Sequence, residues 1–248
     1  MVFGGRLGIG RRTSTSSGPA PVRGDRAIPE RISVWLVVLI VLGLLAHGYN
    51  MTQIDQDSDL AVKSHFFLII MVVGLVVRGA MAAVFNYKLV PDMRPNAYKL
   101  ALYMVFAGIL IMSSGAIWSM TAPEAPGFLA GATVTQVKLF YTFGAVAEEI
   151  FWIWGIFLPL CVVFGIFSVS LFGRKLPFPP WTLALLTVCI LFAVFHRAVY
   201  ETAPQLWLMF VYRAVFTLSY ILSAWWGGTR DITIAVLAHM TVNYLASG

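Results

Sequence analysis

Two adjacent carboxylates, Glu148 and Glu149, sit in the stretch Ala145-Val146-Ala147-Glu148-Glu149-Ile150-Phe151-Trp152, which otherwise belongs in hydrocarbon. Between Gln136 and Phe172 the only other ionisable side chains are Lys138, Tyr141 and Cys161. A charge at bilayer depth costs about 2.5–3.5 kcal/mol on insertion scales, so such a pair marks a use. Neighbours on a helix point ~100° apart, so the two cannot share one task. One can face a reaction centre while the other turns to a supporting partner. Of the four histidines, His47 and His65 fall near expected membrane ends, where an interfacial imidazole is ordinary. His196 ends Phe192-Ala193-Val194-Phe195-His196, and His239 opens His239-Met240-Thr241-Val242-Asn243. The spacing of His239 and Asn243 puts imidazole and amide on one helix face.

These residue types suit hydrolysis. Glu148 takes a proton from water and passes it to a leaving amine. His196 holds that water or shares the proton, while His239 and Asn243 stabilise the developing oxyanion. In a second version Glu148, His196 and His239 bind a zinc ion that activates the water. The residues leave both versions open. At ~1.5 Å per residue, Glu148 lies ~18 Å from the outer end of its run. His239 lies ~10 Å up from the opposite side, Asn243 ~16 Å and His196 ~22 Å. In a ~30 Å core these depths agree within about 10 Å, so one cavity can gather the groups.

The elements that must position them are membrane helices. The chain has 248 residues, 59% hydrophobic and 11% charged, with mean hydropathy +0.83. Soluble proteins carry roughly 25% charged residues, so the composition predicts an all-α polytopic integral membrane protein. The net charge of +6 is not gathered on a folded surface, which argues against a nucleic-acid partner. Cys161 and Cys189 lie in apolar runs and do not read as a disulfide.

Residues 1–30 are rich in Gly, Ser, Pro and Arg and read as a disordered basic tail. Apolar runs follow at about 33–50, 65–87, 99–120, 136–172, 181–199, 206–226 and 232–246. The run 136–172 exceeds one simple crossing: it is either one helix continuing past Pro159 or two helices. Loop charges favour seven crossings, with eight as the alternative. Arg6, Arg11, Arg12, Arg23, Arg26 and Arg31 place the N-terminus in the cytoplasm of a cell membrane. Lys88 with Arg94, Arg174-Lys175 and Arg230 then fall inside; Asp55, Asp57 and Asp59, Glu124 and Glu201 fall outside. The Asp55 cluster lacks the glycine and terminal glutamate of a calcium loop, with Leu60 and Phe66 in their places, and reads as solvated loop.

Taken in order, Glu148-Glu149, Phe192 with His196, and His239 with Asn243 resemble the motifs EExxxR, FxxxH and HxxxN/D. These are the motifs of the CAAX prenyl protease and bacteriocin-processing family of intramembrane endopeptidases, also called the Abi family. The resemblance covers about 136–246. It divides the chain into the tail 1–30, a three-span segment 31–135 and a catalytic membrane core 136–248. It implies Glu148 as the catalytic glutamate, with His196, His239 and Asn243 around the water and Glu149 as the second glutamate of the site. The implied substrate is a membrane-associated protein or peptide, with membrane lipids as surroundings.

The chain departs from the first motif at Ile153, where the arginine is expected. Glu149 then needs another cation, because an unpaired buried charge is costly. Arg213, inside the run 206–226, and Arg197, directly after His196, are the candidates. Arg213 and Arg78 can alternatively snorkel to an interface. Trp152 beside the carboxylates can pack or shape a substrate groove. The missing arginine also raises a rival reading, a catalytically silent scaffold or assembly subunit of a membrane complex. A proton-coupled small-solute transporter is a third, without the internal repeats such proteins often show.

Overall fold

A computed structural model describes residues 32–85, 126–170, 180–200, 202–227 and 230–246, with isolated residues between 105 and 120. The tail 1–30, the loop 88–98, most of the 99–120 run, Arg174-Lys175 and Glu201 lie outside these residues. The described residues are helical, and no strand occurs among them.

Helix α1, Val34–Gln53, starts where the Ser33 hydroxyl accepts from the Leu36 amide at 3.1 Å. The acidic loop that follows is a local turn: Asp55 Oδ1 accepts from the Asp57 amide at 3.1 Å, and Ser58 Oγ from the Ala61 amide at 3.3 Å. It opens α2, Asp59–Phe85. Helix α3, Val134–Glu149, begins with a capping box in which Thr133 and Gln136 each satisfy the other's backbone amide. It runs without a break into a π-helical segment, Ile150–Phe157, and then α4, Leu158–Ser170. Within the run, the described residues 136–170 therefore form one continuous rod. Pro159 gives no N–H, and its ring crowds the carbonyl four residues back. The wider π turns precede it, where they relieve that conflict. Helices α5, Pro180–Phe195, α6, Ala203–Gly227, and α7, Thr233–Ala246, complete the described chain.

Five of these segments are long and apolar enough to cross a membrane: Val34–Gln53, Asp59–Val84, Val134–Gly165, Trp181–Ala198 and Ala203–Ser223. Helix α7, with 14 residues, is ~21 Å long and shorter than a full span. Val34, Trp35, Val76, Val84 and Val194 point outward, as lipid-facing side chains do. The Val134–Gly165 rod and α6 are the central pair, 61% buried in each case, against 28%, 17% and 22% for α1, α2 and α5. The two most enclosed helices are thus the two that carry Glu149 and Arg213.

Two contacts set the helix ends level. Gln136 Nε2 donates to the Gln53 carbonyl at 3.0 Å, joining the end of α1 to the start of α3. Ser33 Oγ and Thr233 Oγ1 lie 2.7 Å apart and join the starts of α1 and α7 at the other face. Asp231 Oδ1 accepts from the Thr233 amide at 2.9 Å and caps α7. Helix α2 runs parallel to the rod and touches it closely: a Cβ on Gly74 would lie 2.7 Å from the Ile150 carbonyl oxygen. Small residues permit such approach between membrane helices.

Candidate functional site

Glu149 and Arg213 are both fully buried and meet through both carboxylate oxygens. Arg213 Nη1 donates to Glu149 Oε1 at 3.0 Å and Nη2 to Oε2 at 2.5 Å, while Nε donates to Thr217 Oγ1 at 3.1 Å. The guanidinium lies 5.4 Å from the Phe192 ring and 5.6 Å from that of Phe216. Of the two cations the sequence offers Glu149, Arg213 is therefore the one that pairs. Arg197 is exposed in the short turn His196–Ala198 that ends α5. The motif position Ile153 is fully buried among apolar side chains, so the cation reaches Glu149 from a different helix.

His239 joins the same pair. Its Nδ1 lies 2.8 Å from Glu149 Oε1, and its ring stacks on Phe216 with centroids 4.5 Å apart. His196 Nδ1 lies 2.9 Å from the Phe192 carbonyl oxygen. Ionised carboxylate and carbonyl oxygens only accept, so each imidazole carries its proton on Nδ1. In the neutral ring each Nε2 is then a lone pair.

Glu148 turns the other way, as the ~100° offset requires. It lines a cavity of about 640 Å³ with His196, His239, Asn243 and Phe192. The cavity follows one face of α3 through Val137, Tyr141, Gly144 and Glu148, a helical repeat. Glu148 Oε2 is buried without a hydrogen-bond partner among the described residues. The sequence candidates Glu148, His196, His239 and Asn243 thus share one chamber, and Glu149 with Arg213 lies behind its wall.

The sequence reading missed Tyr200, which also lines the cavity beyond the end of α5 and stacks on His196 at 6.3 Å. Burial above all, with negative charge at Glu148 adding to it, pushes its phenol well above the ordinary range. It stays protonated at neutral pH. Trp152 is not a wall of the cavity; it is buried edge-on behind Phe192 and Phe195. Arg78 lies over the Trp154 ring at 4.5 Å, a cation–π contact. His47 and His65 pack against each other at 5.8 Å, away from the cavity walls.

The donor chemistry at the cavity suits a divalent metal in one respect. Metal-ligating histidines usually donate their other ring N–H to a carboxylate or carbonyl, as His239 and His196 both do here. Yet among the described residues no three His, Cys, Asp or Glu side chains come close enough together to form a ligand set.

Comparisons of the chain with protein-family models, with curated proteins and with solved structures give no match.

Proposed function

We propose that the protein is an intramembrane endopeptidase in which Glu148 activates water. One observation carries this reading: Glu148, with an unpartnered buried oxygen, shares a chamber with His196, His239 and Asn243. The lone pair on His196 Nε2 can accept one hydrogen of a water while Glu148 accepts the other, which leaves an oxygen lone pair free to attack. Glu148 takes the water proton as that oxygen adds to the peptide carbonyl. Asn243 supplies an N–H to the oxyanion. The proton then passes from Glu148 to the leaving nitrogen as the C–N bond breaks, giving a carboxylic acid and an amine. Arg213 and Glu149 are positioning residues. They hold His239 in its Nδ1–H form and its ring in place. The motif resemblance supports the same reading, with Arg213 standing in for the arginine absent at Ile153.

In this proposal the chain crosses a cell membrane seven times with its N-terminus in the cytoplasm. Helix α2 ends at one face and α3 begins at the other, which the seven-span reading meets with the 99–120 run.

The test compares cells making the full chain with cells making Glu148→Gln. New N-termini of membrane-associated proteins are read in both. Loss of general acid–base catalysis removes roughly 10²–10⁴-fold in rate, so the cleaved products should vanish. The scaffold reading expects the same N-termini in both strains and a partner complex that still assembles.

A further inference from the structure

The cavity has a direction. Its upper walls come from elements that begin or end at one face: Lys63 near the start of α2, Phe128 before α3, and Tyr200 between α5 and α6. Its floor is Glu148 and His239. That face carries the end of α1 and the acidic loop Asp55–Asp59. The opposite face carries the start of α1, which follows a segment, residues 1–31, holding six arginines. Short-loop charge bias puts arginine-rich segments in the cytoplasm. The cavity mouth is then extracytoplasmic.

The depth sets what fits. Lys63 lies four residues into α2, ~6 Å down, and Glu148 fourteen residues into α3, ~21 Å down, at ~1.5 Å per residue. The two scales agree, since Gly74 and Ile150 touch at ~22 Å and ~24 Å on them. The ~15 Å from rim to carboxylate is about four to five residues of extended chain at ~3.3–3.6 Å each. The walls between are rich in aromatic rings, including Phe67, Phe140, Phe195 and Tyr212, and Lys63 marks the rim.

The geometry points to loading from the extracytoplasmic face: the site takes an extended, largely apolar stretch of four to five residues from an anchored protein, threaded down from the outer surface. This deepens the peptidase reading and rests on it for the bond that is cut. The loading face itself does not depend on catalysis.

The experiment uses the full chain with single cysteines added at Lys63, Val137 or Val242, and at Arg26 as the opposite-side control. A charged, membrane-impermeant maleimide is applied to right-side-out spheroplasts and to inverted vesicles, with the wild-type Glu148 and with Glu148→Gln. Lys63→Cys, Val137→Cys and Val242→Cys should be modified in spheroplasts and lose modification in inverted vesicles, with Arg26→Cys reversed. Two cavity positions keep the test alive where one variant fails to accumulate. Modification of the cavity positions only in inverted vesicles, or in neither preparation while Lys63→Cys reacts, overturns the proposal. Labelling as expected with no cleavage in any strain removes the peptidase reading alone. Reversed labelling with cleavage intact removes the loading face alone.

Discussion

Arg213 gives Glu149 two parallel hydrogen bonds through Nη1 and Nη2 and Thr217 a third through Nε, so the pair rests on the planar fork. Lysine offers a point charge without that fork. Removing one partner of a buried pair typically costs about 3–5 kcal/mol, because the other charge is left alone. Arg213→Ala should lower unfolding stability in detergent by that order, measured by thermal or denaturant unfolding, with Arg213→Lys in between. Replacing both partners, as Glu149→Leu with Arg213→Leu, should recover much of it, yet leave His239 without its oxygen acceptor and, in the proposed peptidase, abolish cleavage. A wild-type midpoint for Arg213→Ala would show that the pair does not hold the helices. Much of this was legible beforehand. An arginine inside an apolar run declares itself, and two glutamates in hydrocarbon need company. The choice between Arg197 and Arg213 was not legible, because it turns on where α5 stops and which face of α6 meets α3. The proton position on each imidazole was not legible either, since it depends on what lies beside Nδ1.

Helix contacts decide what the rod can tolerate. A methyl at Gly74 would meet the Ile150 carbonyl oxygen at 2.7 Å, a backbone atom that cannot swing aside. Overpacking of this kind costs about 1–3 kcal/mol. Gly48 on α1 has no atom within 4 Å of such a methyl, so alanine there gains helix propensity of up to about 1 kcal/mol. Gly74→Ala should therefore destabilise and Gly48→Ala should be neutral or better, in the same unfolding assay. Equal effects would mean that α2 does not press on the π segment. The sequence shows the length of the 136–172 run and its proline, but nothing in its apolar spacing separates a π turn from an α turn. Every residue from Ile150 to Phe157 is apolar or Gly, so no polar face reports the change of pitch. Helix α7 was legible as short, and its capping by Asp231 follows from a turn residue just before it.

Across the whole molecule, the spans enclose a charged centre assembled from distant parts of the chain. Glu149 and Arg213 are 64 residues apart. At synthesis rates of about 5–20 residues per second, the acid is made roughly 3–13 s before its base. For that interval the nascent α3 rod must wait with an uncompensated acid, either protonated or sheltered by the insertion apparatus. Glu149→Gln should thus speed partition of the isolated α3 segment out of the translocation channel, read by a force-sensitive arrest sequence placed behind it. The same change should weaken the finished protein. A rod that leaves the channel equally fast with glutamate or glutamine would mean that its birth order carries no penalty. The ion pair at the centre of the folded molecule is in this sense also a timetable, because the newborn chain cannot settle until α6 has been delivered.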